Sequence, residues 1–171
     1  MKTQILIGLL LCPLVSAQAC EQIKDLTEIG QADLSVWGFS VYSARTLSCD
    51  GKKIEEAQSL PRPFALELTY ARNIDQQDLL DNTREQWQRL GLYQERSEAW
   101  LEQLARFWPS VKKGDRLTLY VTPSGSSEFY FAEQPIGAVT DVEFSSTFLA
   151  IWLAQEASYP RARKKLMGDT Q

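Results

Sequence analysis

The spacing of apolar residues in this chain changes from two to about 3.6 residues and back again, and that order constrains the fold more than any other feature. Between Phe64 and Tyr70 the large apolar residues occupy every second position, which is typical of a half-buried strand. From Asp75 onward they recur at helical spacing through two segments, the first closed by Gly91 and the second ended by Pro109. The pattern therefore predicts a strand followed by two helices that pair as a hairpin.

Further strands are predicted on both sides of the helical pair. Residues 32–47 alternate throughout, which predicts one long strand with a bulge or bend at Gly38. Later alternation predicts three short strands, at 117–121, 129–131 and 136–139. Two helices then follow, one capped by Asp141 and one opened by Pro160. Strands linked as hairpins and separated by helical pairs favour an α+β fold, an antiparallel sheet with helices on one face.

The N-terminal segment, residues 1–19, has the pattern of a cleavable signal peptide. Lys2 supplies the positive charge, residues 5–15 form the apolar stretch, and residues 17–19 form a small-residue cleavage box. The apolar stretch is shorter than the roughly 20 residues that span a bilayer. We therefore expect export to the periplasm, with residues 20–171 as a single mature domain without a transmembrane segment.

Cys20 and Cys49 are the two cysteines that remain after removal of the signal peptide. In an oxidising compartment they are candidates for a disulfide, although two unpaired thiols are the alternative, because the distance between them cannot be derived from sequence. Cys20 also follows the cleavage box directly, so a lipid anchor is a further alternative. Ala17 and Gln18 fit that processing route poorly, which favours the soluble exported form.

Composition excludes several classes of function. The formal charge is −4 and becomes −5 when Lys2 leaves with the signal peptide, which argues against a nucleic-acid partner. Histidine is absent from the sequence, and this removes Ser-His-Asp and Cys-His catalysis and most zinc sites. Neither a metal site nor a cofactor is predicted, and any chemistry must use carboxylates, Arg, Lys, Tyr or hydroxyl groups.

Four tryptophans fall on the predicted inner faces of helices: Trp87, Trp100, Trp108 and Trp152. They are interpreted mainly as core residues. The alternative is that some of them wall a cleft in which a flat or long apolar ligand lies.

Two arginines follow tyrosines closely on predicted strands, Arg45 after Tyr42 and Arg72 after Tyr70. An arginine and a tyrosine hydroxyl at the mouth of an apolar cleft suit a carboxylate or phenolate. Both arginines could equally be solvated residues near strand ends.

Residues 32–44, 64–74, 113–119 and 148–153 resemble those of the bacterial chalcone isomerase-like proteins. The resemblance covers nearly all of the mature chain. It implies an open-faced β-sandwich, in which a curved antiparallel sheet carries a helical layer on one face and a ligand cleft lies between them.

The resemblance does not extend to the catalytic residues of the plant enzymes. Those enzymes use an Arg, a Thr and a Tyr, but here Trp37 falls near the Thr position and Asp75 near the Tyr position, and no arginine lies between Gln22 and Ala44. Asn82 and Ser145 match the remaining polar pocket positions, although they could be an amide on a helix surface and a hydroxyl inside a helix. No catalytic residue is therefore assigned.

We expect an exported, non-catalytic protein that binds a small apolar or amphipathic molecule, such as a fatty acid or aromatic acid. The predicted ligand-binding residues are Trp37, Tyr42, Tyr70, Arg72, Asn82 and Ser145. One alternative is an intramolecular lyase of the chalcone isomerase type with a rearranged site built on Tyr70, Arg72 and Asn82. Another is an accessory protein that binds an envelope partner through an exposed Trp-rich helical face. The sequence does not predict an oligomeric state.

Overall fold

The computed structural model describes residues 20, 22–36, 38–57 and 59–169, so the predicted signal peptide and Trp37 lie outside the described residues. The described strands form one antiparallel sheet in sequential order: β1 Thr27–Val36, β2 Phe39–Ser48, β3 Phe64–Tyr70, β4 Arg116–Val121, β5 Ser127–Phe131 and β6 Gln134–Val139. The helices are α1 Gln76–Arg89, α2 Glu95–Phe107, α3 Val142–Leu153 and α4 Pro160–Leu166, and a short 3₁₀ helix, Ile23–Asp25, precedes β1. The α+β class and the predicted open-faced architecture are confirmed.

The prediction of one strand over residues 32–47 is wrong, because the chain reverses its direction between Val36 and Phe39. Val36 pairs with Phe39, so a tight hairpin joins β1 to β2. Gly38 has φ 81°, a left-handed conformation that glycine adopts without a steric cost. The apolar alternation runs through the turn with little change, which is why the sequence pattern alone did not reveal it.

The sheet buries one face against the helices. Side chains of β3 alternate, and those of Phe64, Leu66 and Leu68 enter the core together with residues of all four helices. The tryptophans of the helical pair are at the centre of this core: the ring centroids of Trp87 and Trp100 lie 5.8 Å apart. Both indoles are buried, which confirms their predicted core role.

One of the two predicted aspartate caps forms its hydrogen bond at the start of a helix, and the other does not. The Asp141 carboxylate accepts from the Glu143 N–H at 3.0 Å, as predicted for the start of α3. Asp75 occupies the cap position of α1, but its side chain makes no cap bond. The Ser110 hydroxyl accepts from the Gln76 N–H instead, at 3.0 Å, so a residue after α2 satisfies the start of α1.

Helix α4 lies across β1 and closes the layer on that side. A Cβ added to Gly30 would lie 1.9 Å from the carbonyl oxygen of Lys165, so only glycine permits this approach. The Thr46 hydroxyl of β2 donates to the Leu166 carbonyl at 2.5 Å, which fixes the end of the helix on the sheet. Among the described residues, no helix has the length and apolar character needed to cross a membrane.

Candidate functional site

A cavity of about 330 Å³ lies between the inner face of the sheet and helices α1 and α3. This volume is within the range of small-molecule pockets, roughly 300 to 1,000 Å³. Most of its wall is apolar and is supplied by strands β1 to β4, by both helices and by the segment after α2: Leu34, Val36, Val41, Leu68, Leu79, Trp108, Leu117, Phe148, Ile151 and Trp152. We call this cavity, with its polar rim, the cleft.

The rim of the cleft is polar. Arg72, Asn73, Asp78 and Asn82 are exposed lining residues, and Gln86 is partly buried. Among the described residues Arg72 has no ion-pair partner, so its guanidinium is available to a ligand. An exposed arginine beside an apolar cavity suits an amphipathic molecule with an anionic end.

Two tyrosines lie side by side on the sheet wall of the cleft. Tyr42 of β2 is paired with Tyr70 of β3 in the sheet register, and their ring centroids lie 6.0 Å apart. The Trp152 indole N–H donates to the Tyr42 hydroxyl at 2.8 Å, which connects β2 to α3. Burial raises the pKa of both tyrosines above the usual value, so both are un-ionised at neutral pH.

The structure places four of the predicted ligand-binding residues on the cleft: Tyr42, Tyr70, Arg72 and Asn82. Ser145 is not among the lining residues, because it is buried within α3 and its hydroxyl donates to the Val142 carbonyl at 3.0 Å. Trp37, the sixth, is outside the described residues. The binding role of all six remains a prediction.

Asp78 and Gln86 line the cleft but were not predicted. They lie four residues before and four residues after Asn82, so the three share one face of α1. A polar stripe at this spacing, next to the inward-facing residues Leu79 and Thr83, is the sequence signal that would have identified them.

Arg45 does not reach the cleft, although the sequence allowed a role for it at the mouth. It projects from the opposite face of the sheet, where its Nε donates to the buried Glu67 carboxylate at 2.8 Å. The Arg116 Nε lies 3.7 Å from the other oxygen of Glu67. Alternation along β2 explains the placement, since residues three apart on a strand project to opposite faces.

A larger groove, of about 810 Å³, lies on this outer face, next to the segment at residues 22–26. Its two arginines, Arg45 and Arg116, are paired with Glu28, Glu67 and Glu133, and Lys24 also lines it. We favour the smaller cleft as the ligand site because its wall is mostly apolar, whereas charged residues make up much of the wall of the outer groove.

The cysteines predicted to form a disulfide lie next to each other as free thiols. A hydrogen bond with the Cys49 side chain raises the pKa of Cys20 to about 11. The contact connects the segment before the 3₁₀ helix to the turn after β2. The disulfide and the alternative lipid anchor both remain predictions.

The exposed Trp-rich face that the alternative of an accessory protein requires is not present on the described helices. Large apolar side chains that are exposed in the described residues are Phe39, Val142 and Tyr159, and none of them is a tryptophan. Trp152 is partly buried and lines the cleft.

Comparison with known proteins supports the same architecture. A family model described as chalcone isomerase-like matches residues 32–168. An uncharacterized protein of Haemophilus influenzae is 24% identical over 144 residues, which cover 84% of this chain and 68% of that protein. The crystal structure of an Arabidopsis thaliana fatty-acid binding protein is similar with a TM-score of 0.62 at 10% identity, over 85% of this chain and 88% of that one. At that identity the likeness concerns the fold alone.

Proposed function

Since the chain belongs to the chalcone isomerase-like family, we propose that it is an exported, non-catalytic protein that binds a small apolar or amphipathic molecule in the cleft. The observation that carries this proposal is the apolar cavity of about 330 Å³ with Arg72 on its rim. The apolar body of a ligand would lose water contact against Leu68, Leu117 and Phe148, which favours binding by roughly 25 cal/mol for each Å² buried.

A fatty acid or an aromatic acid fits this arrangement. Its carboxylate would lie beside the Arg72 guanidinium, which forms charge-assisted hydrogen bonds with carboxylates. Asp78 on the same rim disfavours a second anionic group. The similarity in fold to a fatty-acid binding protein supports ligand binding in a cleft of this kind.

The test is displacement of an apolar fluorescent dye by dodecanoic acid and by phenylbutanoic acid, in wild type and in Arg72→Ala. Loss of one exposed charge-assisted bond raises the dissociation constant about tenfold. Arg106→Ala is the matched control, because Arg106 is exposed on α2 and does not line the cleft. The proposal fails if neither acid displaces the dye from wild type. It also fails if Arg72→Ala and Arg106→Ala bind the acids with the same affinity.

The second part of the proposal is location outside the cytoplasm. Residues 1–19 carry the charged, apolar and small-residue sections of a cleavable signal. Fractionation of the native host together with intact mass analysis would test it. A periplasmic protein that begins at Cys20 is the expected result, and a cytoplasmic protein that still carries residue 2 would contradict it.

One observation favours a second candidate, an intramolecular lyase of the chalcone isomerase type. Tyr70, Arg72 and Asn82, the rearranged set, all line the same cavity. Absorbance decay of a chalcone above the spontaneous rate, abolished in Arg72→Ala, would establish it and replace the non-catalytic proposal. A rate equal to the spontaneous rate would eliminate it.

A further inference from the structure

The two tyrosines on the wall of the cleft offer hydrogen-bond donors that the protein itself does not use. The Tyr42 oxygen accepts from the Trp152 indole, and this leaves its own O–H proton free to donate. Among the described residues neither the Tyr42 nor the Tyr70 O–H group has an acceptor.

Both hydroxyl groups are placed where a ligand can reach them. Only 4% of Tyr70 is exposed, but its hydroxyl oxygen is not fully buried, because the residue lines the cavity. The cavity therefore gives a ligand access to this oxygen. Because Tyr42 and Tyr70 are cross-strand partners, their side chains share one face of the sheet. A single ligand can therefore meet both.

A plain alkyl chain does not suit this wall. It would separate two O–H groups from water and give them no acceptor, and an unsatisfied buried donor is unfavourable. A carboxylate at this position does not suit it either, because a buried anion needs a cationic partner, and Arg72, the one cation among the described lining residues, is exposed at the rim. An uncharged oxygen acceptor satisfies the donors without bringing a charge into the cavity.

We infer that the ligand carries an uncharged acceptor oxygen, such as a ketone carbonyl, which receives hydrogen bonds from Tyr42 and Tyr70. This inference rests on the proposed binding function and refines it. Within the proposed ligand classes it favours aryl keto acids and other oxygenated acids over unsubstituted fatty acids. The anionic end lies at Arg72 and the carbonyl lies at the tyrosine pair.

A matched pair of ligands tests the inference. Phenylbutanoic acid and benzoylpropanoic acid have the same carboxylate and ring and differ in one ketone. We expect the keto acid to bind wild type about tenfold more tightly, which corresponds to one or two net hydrogen bonds. The preference should fall to about threefold or less in Tyr70→Phe, which removes one donor and keeps the ring.

Tyr42→Phe is the second variant, and urea unfolding monitors the folded state of both. Equal affinity for the two acids in wild type, or a preference that survives both substitutions, overturns the inference while the proposed binding function stands. If neither acid displaces the dye from wild type, the proposed function and the inference fail together.

Discussion

The Tyr42 hydroxyl accepts a 2.8 Å hydrogen bond from the Trp152 indole N–H, and this bond joins β2 to α3 at the wall of the cleft. Tyr42→Phe removes the acceptor and leaves a partly buried donor without a partner, which costs about 1–2 kcal/mol of unfolding free energy. Urea unfolding of Tyr42→Phe, Trp152→Phe and the double variant measures the coupling between the two residues. We expect a coupling of about 1 kcal/mol, and strictly additive effects would show that the bond contributes nothing.

The buried tyrosines make stability dependent on alkaline pH. Burial raises the pKa of Tyr70 in the folded protein above its value of about 10 in the unfolded chain. The folded state therefore keeps a proton that the unfolded chain loses. The contribution of Tyr70 to the free energy of unfolding is constant below about pH 10 and falls as the pH rises further.

Tyr70→Phe should reduce the slope of that decline by up to about 1.4 kcal/mol per pH unit. Urea unfolding of wild type and Tyr70→Phe at several values between about pH 9 and pH 11 measures the difference. Identical slopes would mean that Tyr70 does not titrate differently in the two states.

Much of the fold could be predicted from the sequence because its periodic segments are long. The strand from Phe64 to Tyr70 and the helix after Asp141 have the predicted positions, since alternation and helical spacing directly reflect which face is buried. The hairpin between Val36 and Phe39 could not be predicted in this way. A two-residue turn hardly disturbs a period of two, and Gly38 is compatible with a bulge as well as with a turn.

Glu67 is a buried carboxylate on the face of the sheet opposite the cleft, held between Arg45 and Arg116. Glu67→Ala leaves both arginines without this partner, and because they are partly exposed we expect a loss of only about 1–2 kcal/mol. Glu133→Ala, which removes an exposed partner of Arg116, is the control and should cost less than about 0.5 kcal/mol.

Neither substitution should change affinity for ligands of the cleft, because the sheet separates the two faces. Unfolding in urea and dye displacement give the two readouts. A Glu67→Ala protein with wild-type stability, or with a changed affinity, would contradict this description of the outer face.

The adjacent thiols of Cys20 and Cys49, together with the proposed export to an oxidising compartment, predict a disulfide. Intact mass with and without reductant, on protein from the native host, should show a difference of two hydrogens that is absent in Cys49→Ser. The bond should stabilise the fold by about 2–4 kcal/mol. A diacylglycerol on the Cys20 sulfur excludes the disulfide. A mass increase of the size of such a lipid would therefore show that Cys20 carries the lipid anchor instead.

The site could be predicted only in part. Tyr42, Tyr70, Arg72 and Asn82 line the cleft as expected, because strand alternation and the family resemblance pointed to the same cavity. Ser145 does not line the cleft, because it lies near the start of α3, about one turn before Phe148, the first lining residue of that helix. Helical spacing predicts which residues share a face but not how far along the helix a cavity extends. The position of Arg45 could be predicted from its spacing, because residues three apart on a strand, such as Tyr42 and Arg45, project to opposite faces of the sheet.

The central claim is that the cavity beside α1 is a binding site, and blocking it is the most direct test. Leu79→Trp enlarges a partly buried lining residue, whereas Leu90→Trp makes the same change at the end of α1, away from the lining. Calorimetric titration with benzoylpropanoic acid should show a single molecule bound per chain in wild type and in Leu90→Trp, and no binding in Leu79→Trp. Unchanged binding in a folded Leu79→Trp protein would contradict the account.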